Sequence, residues 1–192
     1  HYYTFVSMCQ AIVHIILILG TSFSMASAAS QDTIQLPEAR TDGNTSVEQV
    51  LLTRRSVRSY KDAPLDLAEI SQLVWSAQGI TSARGFRTSP SAGALYPLEL
   101  YVVAGRVKDL PSAIYKYKPR QHALVKIISG DKRSELSQAA LRQGAIKRAP
   151  AVLLFSAVYE RTTGKYGQRG IRYVHMEVGH AAQNVCLQAQ AL

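Results

Sequence analysis

The sequence predicts an α+β domain, a central mixed or antiparallel sheet flanked by helices. Three observations carry that prediction. AIYKYK at 113–118 and ALVKII at 123–128 read as two strands around a polar turn, an antiparallel hairpin. Residues 66–78 and 171–192 place apolar side chains at helical spacing. The run AVLLFSAVY at 151–159 is nearly all apolar, as in a strand covered on both faces.

The chain has 192 residues, with 47% hydrophobic and 18% charged residues, which is globular composition and excludes a disordered or fibrous class. Two cysteines are too few for a disulfide scaffold or a four-thiolate zinc site. Residues 1–30 carry no Lys, Arg, Asp or Glu, and Ala11 to Leu19 form an apolar run. That run falls short of the roughly 20 residues of a spanning helix. Ala26-Ser27-Ala28 follows it as a small-x-small cleavage pattern. Residues 1–28 are therefore expected to be a signal peptide that directs export to the periplasm or outside the cell. An uncleaved membrane anchor is the alternative. Its n-region lacks the usual basic residues, and the chain starts at His1 rather than Met. After cleavage Cys186 is the remaining cysteine, expected as a small core residue.

The net charge of +9 lies entirely beyond that segment. The basic residues are scattered except at Arg54-Arg55-x-x-Arg58, and export disfavours nucleic acid as a partner.

Residues 29–46 read as an N-terminal arm or linker, polar and holding Pro37 and Gly43. Val47 to Leu52 begins a short helix, and Arg54 to Tyr60 is expected to be extended. In the helix over 66–78, Asp66 and Glu69 form a capping box. Ile70, Leu73, Val74 and Ala77 make its apolar face, and Gly79 suits a left-handed cap. Thr81 to Pro97 is a loop rich in Ser, Gly and Pro, and Leu98 to Ala104 is a strand. Asp131 to Arg142 reads as a helix capped by Asp131. Gly164, Gly167 and Gly170 suggest a flexible loop before the longest helix, 171–192. That helix carries a stripe of Ile171, Val174, Val178, Ala181, Ala182, Val185, Ala189 and Leu192.

Several chemistries lack their motif. There is no G-x-G-x-x-G and no P-loop. Ser91 lacks the glycine and strand of a nucleophile elbow. His175 and His180 stand about 140° apart on a helix. Glu177-x-x-His180 is a single copy of a motif that di-iron bundles need twice. No metal is assigned, and each His reads as a packed or hydrogen-bonded helix residue.

Two segments remain. In an extended Arg54-Arg55-Ser56-Val57-Arg58, Arg54, Ser56 and Arg58 point the same way. Guanidiniums and a hydroxyl together suit a terminal phosphate, although a basic surface strand fits equally. The loop Ser89-Pro90-Ser91-Ala92-Gly93-Ala94-Leu95-Tyr96-Pro97 has small residues that let backbone approach a flat ligand.

Together with Leu73-Val74-Trp75-Ser76-Ala77-Gln78-Gly79, Lys165-Tyr166-Gly167-Gln168-Arg169-Gly170 and Glu177 to Asn184, these segments resemble the nitroreductase-like flavoprotein family. Within it they are similar to the SagB-type dehydrogenases, which include azoline oxidases of modified peptides. The likeness covers roughly 47–192. It implies an FMN-binding α+β fold and a homodimer with FMN at the interface. By resemblance, Arg54, Arg55, Ser56 and Arg58 hold the phosphate and ribityl chain. Pro90, Ser91, Ala92 and Gly93 contact the flavin from the partner subunit. Lys165 and Tyr166 match a Lys-Tyr pair that handles protons at the substrate while flavin N5 takes hydride. The implied activity is a nitro- or quinone-type reductase, with NAD(P)H as donor, or a dehydrogenase of azoline-like substrates. The family's chain continues past its long helix, so the resemblance also implies a domain that extends beyond Leu192. The rival expectation is a non-catalytic flavin- or ligand-binding envelope protein.

Overall fold

The computed structural model describes residues 32–192, and the expected signal peptide at 1–28 lies outside the described residues. Five strands make one sheet, β1 (Thr33–Gln35), β2 (Leu98–Ala104), β3 (Ala113–Lys118), β4 (Ala123–Ser129) and β5 (Ala151–Ala157). Their order is β1-β4-β3-β2-β5, and every pairing is antiparallel. Six α-helices accompany it: α1 (Val47–Thr53), α2 (Leu67–Gln78), α3 (Arg133–Ala139), α4 (Gly144–Arg148), α5 (Glu160–Tyr166) and α6 (Arg169–Ala191). The expected α+β class and the hairpin of β3 and β4 are both present, with Tyr117 opposite Leu124.

The sheet faces α2. Ile70, Val74 and Ala77 of α2 pack with Leu100, Val102, Tyr115, Tyr117 and Leu124 in the main core. A second cluster joins Val174 and Ala181 of α6 to Leu98 at the start of β2. Leu98, Leu100 and Val102 are two residues apart and so share one face of β2. Along that face Leu98, at the start of the strand, meets α6, and Leu100 and Val102 meet α2.

The arm expected at 29–46 holds a strand. β1 is only three residues long and has no periodicity to reveal it. Its neighbours fix it. The Leu36 N–H donates to the His122 carbonyl at 3.1 Å, and the Ser71 hydroxyl donates to the Pro37 carbonyl at 2.5 Å. Tyr117 hydroxyl and His122 Nδ1 are 2.9 Å apart. Burial raises the Tyr117 hydroxyl far above its ordinary pKa, so it stays protonated.

Other expectations are corrected. Residues 54–60, expected to be extended, are neither helix nor strand and run outside the sheet. Gly79 is extended, with φ −62° and ψ 150°, rather than left-handed. It is glycine because a Cβ there would stand 2.2 Å from the Trp75 ring. The helix expected at 131–142 is the shorter α3, and a separate helix, α4, follows from Gly144. Leu141 and Arg142 between them take positive φ, which breaks the helical path. Asp131 sits before α3 and binds Arg133 through its backbone N–H and guanidinium. β5 is half-buried throughout, and among the described residues it pairs with β2 alone. The glycine-spaced segment is helical over α5, with Gly164 inside it. Cys186 is exposed, since the buried stripe of α6 runs through Val174, Glu177 and Ala181 instead.

Ile70 is 1% exposed and Leu141 81%. Ile70→Ala is expected to cost about 2–5 kcal/mol. Leu141→Ala should stay within about 0.5 kcal/mol. Denaturant unfolding of the two variants measures both.

Candidate functional site

The segment after α2 is a loop whose start is fastened to two helices. Ser89 is buried and donates from its hydroxyl to the Ala77 carbonyl at 2.8 Å. Thr88 donates to the Trp75 carbonyl at 3.0 Å. Asn184 of α6 donates to the Ser76 carbonyl at 3.1 Å and to the Ser89 hydroxyl at 3.1 Å. Further on, the Ser91 hydroxyl accepts the Tyr96 N–H at 2.9 Å. The Ala92 N–H donates to the Glu177 carboxylate at 2.9 Å.

Between those two bonds the chain turns sharply. Ala92–Ala94 form one 3-10 turn. Gly93, Ala94 and Tyr96 have φ of 64°, 55° and 46°. Alanine and tyrosine pay for left-handed backbone, on the order of 1–2 kcal/mol each. Such a shape persists where its surroundings over-determine it. The far end is also held. Arg161 of α5 donates to the Tyr96 carbonyl at 3.1 Å and to Glu99 at 2.5 Å, and Lys116 binds the other Glu99 oxygen at 2.7 Å.

α5 brings Lys165 and Tyr166 to this turn. A Cβ on Gly93 would stand 2.9 Å from the Tyr166 hydroxyl and 3.1 Å from Lys165 Nζ. Both polar ends therefore converge on one bare backbone position. Tyr166 is braced edge-on by Tyr173 of α6, with ring centroids 5.1 Å apart. The two helices sit close because Gly170 is glycine; a Cβ there would meet Thr163 backbone at 2.9 Å. Lys165 is exposed and Tyr166 half-buried, so an ammonium and a phenol hydroxyl face outward beside the loop. That pair can donate or accept a proton at a bound molecule.

The basic segment is placed differently. The Arg54 N–H caps α1 through the Val50 carbonyl at 2.9 Å, and Arg55 donates to the Leu52 and Arg54 carbonyls at 3.0 and 2.7 Å. Arg148 of α4 donates to the Arg58 carbonyl at 3.4 Å. Arg55, Ser56 and Arg58 are exposed, and Arg54, Arg55 and Arg58 make no ion pair among the described residues. No carboxylate among the described residues occupies these guanidiniums, although Arg55 Nη1 is engaged by the Leu52 and Arg54 carbonyls. Within one chain, then, Pro90–Gly93 and Lys165–Tyr166 come together. Residues 54–58 attach through α1 and α4, and no hydrogen bond among the described residues ties them to that loop. Two clefts of about 260 and 600 Å3 flank Trp75, and neither is lined by these residues.

Sequence reasoning missed Glu177, Asn184, Arg161 and Glu99 as parts of this arrangement. A signal existed for two of them. Glu177 lies among Val174, Val178 and Ala181 at helical spacing, and Asn184 is one heptad on. Polar residues on an apolar stripe mark a buried hydrogen-bonding task. His180, paired with Glu177 in the motif reading, is exposed, and His175 instead meets the Tyr159 hydroxyl at 3.0 Å. Among the described residues no group of three or more His, Cys, Asp or Glu could hold a metal ion.

Comparison with known proteins adds three kinds of likeness. The nitroreductase family model matches residues 51–192. A protein of Methanocaldococcus jannaschii, provisionally named a nitroreductase, is 51% identical over 159 residues, covering 83% of this chain and 79% of its own. The trifolitoxin-processing protein TfxB of Rhizobium leguminosarum bv. trifolii is 30% identical over 108 residues, 54% of this chain and 29% of that protein. Among solved structures, a provisionally named nitroreductase of Ralstonia eutropha superposes with TM-score 0.71 at 28% identity, covering 91% of this chain and 79% of that one. A chain of the Escherichia coli microcin synthetase complex McbBCD shares the fold, with TM-score 0.57 at 21% identity over 93% of this chain and 66% of its own.

The Glu99 clamp carries a pH signature. Burial works against its ionisation, but the bonds from Lys116 and Arg161 outweigh that and hold its carboxyl below the ordinary 4.5. The folded value lies below the unfolded one, so this stabilisation is complete above the unfolded value and fades as pH falls through the folded one. Wild-type stability should therefore drop more steeply below about pH 4.5 than that of Glu99→Gln. Denaturant unfolding across pH 3–7, a range of about 4 units around the carboxylate values, compares the slopes.

Proposed function

Because the chain belongs to the nitroreductase family, we propose that it is an FMN-dependent oxidoreductase whose proton-handling groups are Lys165 and Tyr166. The observation that carries this reading is the convergence of both side chains on Gly93, inside the loop that would face the flavin. The residues fit the cofactor. Arg54, Arg55, Ser56 and Arg58 offer paired N–H donors and a hydroxyl, with no carboxylate already bound to them. Gly93 leaves bare backbone where a flat ring system can lie close.

In this reading Arg54, Arg55, Ser56 and Arg58 bind the phosphate and ribityl chain. Pro90, Ser91, Ala92 and Gly93 form the surface against the ring. These two groups belong to different copies of the chain in a homodimer. Their separate anchoring, one through α1 and α4 and the other through α2 and α6, supports that division. Bound FMN supplies two-electron redox chemistry by hydride transfer at N5. Lys165 Nζ and the Tyr166 hydroxyl hold and move the proton at the substrate, and the hydroxyl is oriented by the edge of Tyr173.

The substrate is a nitro compound or quinone reduced with NAD(P)H, or an azoline-like ring oxidised in a SagB-type reaction. The likeness to the trifolitoxin-processing protein and the Lys165-Tyr166 pair favour the second; the charge-free apolar start of the chain, which supports export, favours the first.

The double variant Arg54→Ala with Ser56→Ala should weaken FMN binding by about tenfold or more, since charge-assisted bonds are worth about 1.5–3 kcal/mol. Flavin fluorescence titration reads this, and an unchanged affinity rejects the phosphate assignment. Lys165→Ala and Tyr166→Phe should retain FMN yet lower kcat, about 100-fold if proton transfer limits the rate. Wild-type rates in both would remove the pair from the mechanism.

A further inference from the structure

We propose that Glu177 is a positioning residue for the flavin-facing loop, fixing the backbone one residue before the point where Lys165 and Tyr166 converge. The proposal rests on the FMN reading above. Its own support is geometric.

Glu177 is 5% exposed and sits in the buried stripe of α6. Its neighbours in that stripe, Val174 and Ala181, are fully buried apolar residues. An apolar side chain would fill the position without desolvating a charge. No cation pairs with Glu177 among the described residues. Burying an unpaired carboxylate is costly. The compensation on view is the Ala92 N–H at 2.9 Å. A bond from a neutral amide to a carboxylate is roughly twice as strong as one to a neutral acceptor.

The placement of that bond matters. Ala92 opens the 3-10 turn, and the next two residues, Gly93 and Ala94, are left-handed. A turn that holds left-handed alanine springs back when its restraints are removed. The Ser91–Tyr96 and Arg161–Tyr96 bonds hold the far side of the turn. Glu177 holds the near side and ties it to α6, the same helix that braces Tyr166 through Tyr173. One helix thereby sets the spacing between the loop surface and the proton-handling pair.

The experiment compares the wild type with Glu177→Ala, Glu177→Gln and Glu177→Asp. Hydrogen exchange at the Ala92 amide is read in flavin-free protein, and FMN affinity by fluorescence titration. In Glu177→Ala, Ala92 should exchange about tenfold faster or more, and FMN affinity should fall by a similar factor. Glu177→Gln keeps an acceptor oxygen at the same reach and should restore both to within about threefold. Glu177→Asp keeps the charge but is one methylene shorter, so it should behave like the alanine variant. If Glu177→Ala does not fold, the aspartate variant decides. Wild-type exchange at Ala92 in the aspartate and alanine variants overturns the proposal. So does faster exchange with unchanged FMN affinity, and so does failure of glutamine to rescue. If the wild-type chain itself takes up no FMN, the flavin reading fails, and the exchange rates alone decide whether Glu177 sets the loop.

Discussion

A strained turn has to be held from outside, and this turn is held by side chains packed around it. Gly93, Ala94 and Tyr96 take left-handed backbone within four residues. Propensity favours that shape at the glycine alone. The bonds to Ala92, Tyr96 and Ser89 come from α6, α5 and the loop itself. Remove the packing of α5 on α6, and the donors and acceptors no longer reach. The core beneath, where α2 fills the sheet and α6 covers the start of β2, thus serves mainly to fix the distances between these helices and the loop.

Charge is used sparingly inside the molecule and freely outside it. Glu99 is the one well-covered carboxylate that meets cations, Lys116 and Arg161, among the described ion pairs. The other pairs are more exposed on at least one side and contribute little individually. Arg54, Arg55 and Arg58 remain unpaired at the surface. An anion arriving there displaces no carboxylate among the described residues, and competes only with the carbonyls that hold Arg55 Nη1.

Much of this was legible in the sequence where periodicity and length were on its side. α2 announced itself through Asp66, Glu69 and an apolar face, and the β3–β4 hairpin through alternation around a polar turn. Other features were hidden for physical reasons. β1 has three residues and is set by its pairing with β4 and by the bonds of Leu36 and Pro37, just after it, to His122 and Ser71, which are distant in sequence. α5 reads as a loop because Gly164 depresses helix propensity, and its packing on α6 overrides that, while Gly167 at φ 56° ends the helix. Gly79 looked like a left-handed cap, yet its reason is the nearness of Trp75. At the site, the loop stood out by composition, and the Lys-Tyr pair by the family resemblance. Their meeting at Gly93, and the roles of Glu177 and Arg161, depend on how two helices dock, which no local pattern encodes.

α6 also acts as a ruler. Tyr173, Glu177 and Asn184 reach the site from one stripe, and Glu177 and Asn184 are seven residues apart, about 10.5 Å along the axis. A single inserted residue between them would rotate everything beyond it by about 100°. Asn184 would swing away from Ser89 while Glu177 still held Ala92. The helix can therefore accept exchanges on its outer face, but its length between these positions is frozen. Evolutionary change in size has to be taken up elsewhere, in exposed turns such as the one around Leu141, which is 81% exposed and carries none of the ruler's marks.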